Sequence, residues 1–215
     1  MNRPGRTVAI IQARMGSHRF PGKMLEPIDG VAMVEHVWCC ATMAKLVDRV
    51  VVAIPDGPHD DILQEHLEAA GMRCFRGPGD DVLQRMAWAA AAHWANKVVR
   101  ICGDSPRMPP NRIDALLEAS GGYDYVGYKF SDGTPAIREP WGTFPEVIGM
   151  DALEIATHTA RAPADREHVT SSIYYAQHHY NVKWLPAERP IEGLNVDVPD
   201  DIAKLEGTSI AQADS

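Results

Sequence analysis

Three cations lie close together in a short loop near the start of the chain. Arg14, Arg19 and Lys23 fall within the ten residues that follow Ala13, together with two glycines and a serine. Glycines let backbone N–H groups approach an anion closely, and arginine and lysine side chains bind phosphate oxygens. The loop is therefore a candidate phosphate-binding site, with a solvated surface turn as the alternative on spacing alone. It has neither Walker A nor Gly-x-Gly-x-x-Gly spacing, which disfavours a dehydrogenase.

Two aspartates, Asp104 and Asp197, follow strand-like segments that are well separated in the sequence. Carboxylates from separate strands that converge with triphosphate oxygens would suit Mg²⁺, which prefers few carboxylates plus phosphates and water. An aspartate in a loop is more often a cap or a turn residue. The Gly-Asp-x-Pro context of Asp104 favours the functional interpretation for that residue.

Composition limits the classes of protein to which the chain can belong. Its 215 residues carry a formal net charge of −8, which argues against a general nucleic-acid binder. A local arginine cluster can still attract an anionic substrate. The four cysteines form no Cys-x-x-Cys pair, so neither a zinc site nor a disulfide framework is indicated. With no apolar run of about 18 residues and no signal-peptide pattern, we expect a cytoplasmic protein without a transmembrane span.

The elements that must position these residues alternate between strand-like and helix-like segments. The predicted strands are residues 7–13, 49–54, 72–75 and 97–102, and the predicted helices are residues 32–46, 60–70 and 80–95. This alternation predicts an α/β fold with a mostly parallel central sheet and helices on both faces. Ligands of such sheets bind at the carboxyl ends of the strands, which singles out the loops at 14–23, 76–81 and 103–106.

The pattern is less regular after Pro110. The predicted strands there are residues 123–128, 144–148, 181–185 and 194–198, and the predicted helices are residues 150–159, 165–177 and 200–206. We expect one domain over residues 1–207, followed by a polar, disordered tail at 208–215.

The cationic loop belongs to a longer series of motifs. The pattern Ala-Arg-x-Gly-Ser-x-Arg-x-Pro-x-Lys at 13–23 resembles the signature loop of the cytidylyltransferases, which include CMP-Kdo synthetases and acylneuraminate cytidylyltransferases. The closest resemblance is to the shorter branch related to spore coat polysaccharide biosynthesis, and it runs from about Val8 to Leu205. Four more motifs follow in the family's order: Phe-Arg-Gly with Asp-Asp-Val-Leu at 75–83, Arg-Ile-Cys-Gly-Asp-Ser-Pro at 100–106, Asp-Arg-Glu-His-Val-Thr at 165–170, and Asn-Val-Asp-Val-Pro-Asp-Asp at 195–201.

This resemblance implies a three-layer, Rossmann-like nucleotide-diphospho-sugar transferase fold, with CTP as the nucleotide and Mg²⁺ as the cofactor. It implies that Arg14, Lys23 and Asp104 are catalytic and that Asp104 and Asp197 hold the metal. The nucleotide-binding residues it implies are Gln12, Ala13, Arg14, Gly16, Ser17, Arg19, Lys23, Arg76, Gly77, Asp81, Arg85 and Asp104. A helix cap is the alternative role for Asp81.

The acceptor is expected to contact the less regular part of the chain. The predicted acceptor-binding residues are Arg107, Trp141, Glu146, Arg166, Glu167 and His168. A capping cluster is the alternative for residues 166–168, and His168 is a secondary candidate for accepting the acceptor's proton. Relatives are commonly dimers through this part of the chain, so we expect a homodimer whose interface lies within residues 125–180.

Several residues depart from the family pattern. His18 and Phe20 replace the usual threonine and leucine, and Arg107 replaces a leucine. Pro145 stands where an acid is common, and Asn195 stands where some relatives have a second acid. These departures predict either a different acceptor or a divergent member with reduced activity.

The predicted reaction is an in-line attack of an acceptor hydroxyl on the α-phosphorus of CTP. The products would be pyrophosphate and a CMP-activated acidic sugar that is used for surface polysaccharide. The residues leave other acidic acceptors open, including phosphonates. One alternative is a nucleotide-binding regulatory or scaffolding protein, against which the retained Arg14, Lys23, Asp104 and Asp197 argue. Another is a transferase that consumes a sugar nucleotide, but such enzymes tend to carry Asp-x-Asp rather than Gly-Asp-x-Pro.

Overall fold

The computed structural model describes residues 5–139, 143–176, 178–189 and 195–207. Within these ranges the strands are β1 (Arg6–Gln12), β2 (Pro27–Ile28), β3 (Val31–Ala32), β4 (Arg49–Pro55), β5 (Cys74–Gly77), β6 (Ala95–Cys102), β7 (Tyr125–Phe130), β8 (Glu146–Gly149) and β9 (Val182–Ala187). The α-helices are α1 (Met33–Met43), α2 (Asp61–Ala69), α3 (Val82–Ala92), α4 (Pro110–Ala119), α5 (Met150–Thr159), α6 (Pro163–His168), α7 (Ser171–Tyr174) and α8 (Asp200–Leu205). Short 3-10 turns lie at Lys23–Leu25, Pro58–Asp60 and Ala136–Arg138.

The central sheet has the strand order β5-β4-β1-β6-β8-β7-β9 over the described residues. Strands β5, β4, β1 and β6 run parallel to one another, and β9 runs parallel to β7. Strand β8 runs antiparallel to both of its neighbours, β6 and β7. The sheet is therefore mostly parallel, as the sequence predicts, with one reversed strand.

Both faces of the sheet are covered, because apolar side chains line both sides of β1. Ala9 and Ile11 belong to one hydrophobic core, which includes buried side chains of α1, α2 and α4. Val8 and Ile10 belong to a second core, which includes side chains of α3 and α5. Helices on two faces of one sheet confirm the predicted three-layer α/β architecture.

The pairing of β1 with β6 brings two of the predicted loops together. Gln12 at the end of β1 is in register with Cys102 at the end of β6. The Gly103 N–H donates a 2.9 Å hydrogen bond to the Gln12 carbonyl oxygen, and a Cβ on Gly103 would lie 2.7 Å from that oxygen. Since no side chain fits at that distance, glycine is required where the two loops meet.

The structure corrects the sequence prediction for three segments. Helix α4 forms where no regular element is predicted, and it buries Ile113, Leu116 and Leu117 at helical spacing. The predicted helix at 165–177 is divided into α6 and α7, because Val169 has a φ of 64° that ends α6. Residues 195–198 form bends and irregular backbone instead of the predicted strand at 194–198. Residues 177 and 194, like the predicted tail at 208–215, lie outside the described residues.

The helices are short relative to a lipid bilayer. Across the residues that the structure describes, none has the length and apolarity needed to cross a membrane.

Candidate active site

A cleft of about 510 Å³ opens beside the carboxyl ends of β1 and β6. Its walls come from the loop after β1, the turn after β6, the start of α3, the segment at 136–139, the end of α6 and the residues before α8. The predicted site residues that line it are Gln12, Ala13, Arg14, Ser17, Arg19, Lys23, Arg85, Asp104, Glu167, His168 and Asp197. The cleft thus lies where ligands of parallel α/β sheets bind.

Hydrogen bonds tie the cationic loop to the 3-10 turn at Pro58–Asp60 and fold it back on itself. The Met15 N–H donates to the Asp60 carboxylate at 2.7 Å, and the Gly22 N–H donates to the Met15 carbonyl oxygen at 2.9 Å. Gly22 has a φ of 82°, a left-handed conformation that glycine adopts without a Cβ clash. As a result Arg14 and Arg19 stay exposed, whereas Lys23 enters the interior.

Lys23 lies between the two predicted metal ligands. Its side chain is largely buried, with 8% exposed, and its Nζ lies 3.1 Å from Asp104 Oδ2 and 3.8 Å from Asp197 Oδ1. The same Nζ donates a 2.6 Å hydrogen bond to the carbonyl oxygen of Val196. One ammonium group therefore joins the loop after β1, the turn after β6 and the segment before α8.

The segment at 195–197 is held against the turn after β6. The Val196 N–H donates to the Asp104 carbonyl oxygen at 3.0 Å. Arg19 Nη2 donates to Asp197 Oδ1 at 2.7 Å, and Asn195 Nδ2 donates to Asp197 Oδ2 at 2.8 Å. These contacts fix the Asp197 carboxylate beside the cationic loop, although Arg19 and Asp197 are far apart in sequence.

Asp104 and Asp197 form a donor set that fits Mg²⁺. Both carboxylates contact one ammonium group, so a cation already lies against the pair. Across the described residues no group of three or more His, Cys, Asp and Glu side chains forms a metal cluster. Two carboxylates completed by phosphate oxygens and water suit Mg²⁺, whereas a structural zinc site needs a full set of protein ligands.

A buried ion pair forms part of the floor of the cleft. Arg100 is 5% exposed and lines the cleft, and it lies opposite Glu146, 1% exposed, on the antiparallel pair β6 and β8. Arg100 Nη1 donates to Glu146 Oε2, and Arg100 Nε donates to Gln12 Oε1 at 3.0 Å. The hydroxyls of Tyr125 and Thr170 donate to Glu146 Oε1 at 2.6 and 2.8 Å. Glu146, a predicted acceptor contact, is thus placed behind Arg100 and does not line the cleft.

Sequence reasoning does not single out Arg100 as a site residue. The sequence does contain one clue to its importance, because Arg100 is a charged residue inside the otherwise apolar stretch of β6 at 98–102. A buried arginine needs a partner, and that partner had to come from another strand.

Burial also sets the protonation of two groups beside this ion pair. Burial and the Glu146 carboxylate raise the pKa of the Tyr125 hydroxyl well above its usual value, so that hydroxyl remains a donor. Burial raises the pKa of Cys102, which lines the cleft, to about 11. Because the thiolate is the nucleophilic form of cysteine, Cys102 is a poor nucleophile at neutral pH.

Two of the predicted nucleotide-binding residues, Arg85 and Arg76, occupy different environments. Arg85 lines the cleft, and its Nη1 donates to the carbonyl oxygens of Pro78 and Gly79, which fixes the turn before α3. Arg76 does not line the cleft, because its guanidinium is held by the carbonyl oxygens of Pro55 and Gly57 and by nearby side chains of α2.

Asp81 and Gly77 are likewise set back from the cleft lining. Asp81 caps α3 by accepting a 2.9 Å hydrogen bond from the Gln84 N–H, which is the alternative role that the sequence left open. Its other oxygen pairs with Arg166 at 2.5 Å, so Arg166 joins α6 to α3 instead of lining the cleft. A Cβ on Gly77 would lie 3.1 Å from Arg85 Cγ, and neither Gly77 nor Gly16 contributes to the lining.

The end of α6 supplies the predicted acceptor residues that do line the cleft, Glu167 and His168. Arg14 Nη2 lies 3.9 Å from Glu167 Oε1, so the cationic loop and α6 approach each other across the cleft. After His168, Val169 forms a tight turn in which the Thr170 N–H donates to the His168 carbonyl oxygen at 2.7 Å. A positive φ is strained for a β-branched residue, so the packing around this turn must hold it in place.

Arg107, another predicted acceptor residue, lies outside the cleft. It is 4% exposed, and its Nη2 lies 2.9 Å from Asp29 Oδ2. Its Nη1 lies 2.9 Å from His36 Nδ1. Arg107 therefore ties the turn after β6 to the β2–β3 hairpin and α1.

Trp141, the remaining predicted acceptor residue, lies outside the described residues. The cleft also contains side chains that were not predicted, among them Arg138, Ile137 and Phe144.

Replacing Arg107 by methionine should destabilise the protein without changing the KM for the acceptor. The buried guanidinium holds three parts of the fold together, so we expect a loss of about 1–3 kcal/mol in the free energy of unfolding. Urea unfolding and steady-state kinetics would measure the two effects, with the exposed Arg73→Met as the matched control. Unchanged stability with a raised acceptor KM would instead place Arg107 in contact with the acceptor.

The fold of the chain is that of known solved structures. The chain has the Rossmann-like fold of nucleotide-sugar transferases, as two solved structures show. A cytidylyltransferase from Leptospira borgpetersenii superposes with a TM-score of 0.84 at 23% identity, covering 98% of this chain and 92% of that one. A CMP:2-keto-3-deoxy-manno-octonic acid synthetase complexed with CTP superposes with a TM-score of 0.73 at 17% identity, covering 93% and 96%.

Sequence comparison identifies the family. The family model described as cytidylyltransferase matches residues 8–206. The chain therefore belongs to the cytidylyltransferase family of nucleotidyltransferases, which confirms the family that the sequence motifs predicted. It is 34% identical over 205 residues to the spore coat polysaccharide biosynthesis protein SpsF of Bacillus subtilis, covering 91% of this chain and 83% of the relative.

Proposed function

We propose that the protein transfers CMP from CTP to an acidic, sugar-like acceptor and releases pyrophosphate. The observation that carries this proposal is the meeting of the cationic loop with two carboxylates in one cleft. Arg14, Arg19 and Lys23 line that cleft together with Asp104 and Asp197. Membership of the cytidylyltransferase family and the CTP complex of a similarly folded synthetase support CTP as the nucleotide.

The three cations would bind the triphosphate. Arg14 and Arg19 are exposed at the mouth of the cleft, where their forked guanidinium groups can meet the oxygens of the departing pyrophosphate. Lys23 is buried beside the carboxylates and would stabilise the charge that develops during in-line attack at the α-phosphorus. Placing these groups before the reaction avoids reorganising them during it.

The cofactor that we propose is Mg²⁺, held by Asp104 and Asp197. When bound, the ion would supply charge neutralisation at the phosphate oxygens and lower the pKa of the attacking hydroxyl. Asp104 faces the cleft from the turn after β6, and Asp197 faces it from the segment before α8. The chain's own contribution is to hold these two carboxylates in contact with the phosphate loop.

The acceptor would bind on the side of the cleft formed by the segment at 136–139 and α6. Arg138 and His168 line this side, and Arg100 lies on the floor of the same cleft. The guanidinium groups of Arg100 and Arg138 suit a carboxylate or another oxygen anion. Phe144 adds an apolar surface. The relation to SpsF supports a place in polysaccharide biosynthesis. We further propose that the protein acts in the cytoplasm as a homodimer through residues 125–180.

Pyrophosphate release tests the proposed reaction. The protein is incubated with Mg²⁺, each of the four nucleoside triphosphates in turn, and a panel of acidic sugars and phosphonates. We expect turnover with CTP and an acidic acceptor, with far slower turnover for the other nucleotides. Calorimetric titration with CTP accompanies the assay. If none of the acceptors supports turnover and the protein does not bind CTP, the proposal is refuted. That outcome would favour a scaffolding role without nucleotide chemistry.

A further inference from the structure

Lys23 has the surroundings of a bound cation. Its ammonium group contacts one oxygen of Asp104, one oxygen of Asp197 and the carbonyl oxygen of Val196, at 3.1, 3.8 and 2.6 Å. A carbonyl and two carboxylates are the oxygen ligands that divalent cations also prefer. The side chain is largely buried, so water screens these contacts weakly.

The charges around this ammonium group are already balanced. Asp104 and Asp197 supply two negative charges, and Lys23 supplies one positive charge between them. Arg19 supplies a second positive charge through its 2.7 Å contact with Asp197. A divalent ion that joined this cluster without an anion would therefore meet two cations at close range and would be repelled.

A nucleoside triphosphate changes this balance. Its phosphates are anions that compete with the carboxylates for the Lys23 ammonium and the Arg19 guanidinium. Both side chains line the cleft in which the nucleotide would bind, so each needs only to turn towards the phosphates. Once they turn, these two cations no longer compensate the carboxylate charges, and a divalent ion can bind them.

We propose that Lys23 acts as a resident cation that excludes divalent metal from Asp104 and Asp197 until a nucleoside triphosphate draws its ammonium group away. Metal and nucleotide then bind with positive coupling, and each raises the affinity for the other by the same factor. The proposal rests on the proposed function, because it takes the carboxylate pair as the metal site and the cleft as the nucleotide site. It assigns Lys23 a second role in addition to binding phosphate.

Binding of Mn²⁺ to the nucleotide-free protein tests this role without any activity measurement. Electron paramagnetic resonance reports free Mn²⁺ directly, so titration gives the dissociation constant for wild type and for Lys23→Met, which keeps the apolar stem and loses the charge. We expect Lys23→Met to bind Mn²⁺ at least about tenfold more tightly than wild type. Adding Asp104→Asn to Lys23→Met should abolish that gain.

Two further variants control for charge and for folding. Lys23→Arg keeps the positive charge and should bind Mn²⁺ as weakly as wild type. If circular dichroism shows that Lys23→Met is unfolded, Lys23→Gln replaces it, since glutamine can still donate to the Val196 carbonyl oxygen. The proposal is overturned if the neutral variant binds Mn²⁺ no more tightly than wild type, or if its gain survives Asp104→Asn.

A separate measurement distinguishes failure of this inference from failure of the proposed function. Calorimetry of wild type with CTP and Mg²⁺ tests nucleotide binding alone. Absence of CTP binding would refute the proposed function whatever the Mn²⁺ results are. Normal CTP binding with unchanged Mn²⁺ affinity in the neutral Lys23 variants would refute only the resident-cation role.

Discussion

An Asp104→Asn variant should lose about a thousandfold in kcat for CMP transfer while retaining its fold. Asparagine keeps the shape of the side chain but removes the charge that lies 3.1 Å from Lys23 Nζ. It therefore removes a ligand of the proposed metal. The backbone bond from Val196 to the Asp104 carbonyl oxygen is unaffected, which should preserve the local fold.

Steady-state pyrophosphate release at saturating CTP and Mg²⁺ measures this loss. The matched control is Asp151→Asn, an exposed aspartate on α5 that does not line the cleft, and its kcat should equal that of wild type. Thermal unfolding of both variants checks that the fold is intact. A kcat for Asp104→Asn within about tenfold of wild type would show that the reaction does not need this carboxylate.

Replacing Glu146 with alanine should lower the free energy of unfolding by about 3–5 kcal/mol. The change leaves the Arg100 guanidinium buried without its counter-charge, and the hydroxyls of Tyr125 and Thr170 lose their acceptor. Stabilities of domains are typically about 5–15 kcal/mol, so this loss is a large fraction of the total. The midpoint of urea unfolding, followed by circular dichroism, measures it.

Two comparisons separate the buried charge from simple loss of packing. Glu154→Ala, at an exposed position of α5, should change the free energy of unfolding by about 0.5 kcal/mol or less. The double variant Arg100→Met with Glu146→Leu removes both charges, so it should recover the part of the stability that the unpaired Arg100 charge costs, while losing acceptor binding. The hydroxyls of Tyr125 and Thr170 still lack their acceptor in this variant, so the recovery is partial. If Glu146→Ala were as stable as the Glu154 control, the ion pair would have no structural role.

The local part of the site was predictable from sequence. The cationic loop could be located because glycine, arginine and lysine follow a buried strand, and each of those features is local. Asp104 was predictable for the same reason, since its Gly-Asp-x-Pro turn follows β6 directly. The prediction that both loops lie at one edge of the sheet required only that the two strands be parallel, which β1 and β6 are.

The partners of buried charges were not predictable in this way. Arg107 and Glu146 were predicted to contact the acceptor. Arg107 is itself a departure from the family pattern, and Glu146 lies beside another departure, Pro145. The structure places Arg107 against Asp29 and His36, and Glu146 against Arg100. All three contacts join residues more than 40 positions apart in sequence. No local pattern specifies which distant element will lie opposite a given side chain.

The sequence by itself determined the class of fold, the family and the position of the cationic loop directly after the first strand. It could do so because strand and helix periodicity, turn chemistry and family motifs are all read from neighbouring residues. Only the tertiary structure decided that Lys23 lies between Asp104 and Asp197, and that Arg100 lines the cleft while Glu146 supports it from behind. These arrangements depend on strand order, on the reversed strand β8 and on the docking of residues 195–197. The physical reason is that a buried charge must find its counter-charge in three dimensions, and the packing of the whole sheet determines which counter-charge is within reach.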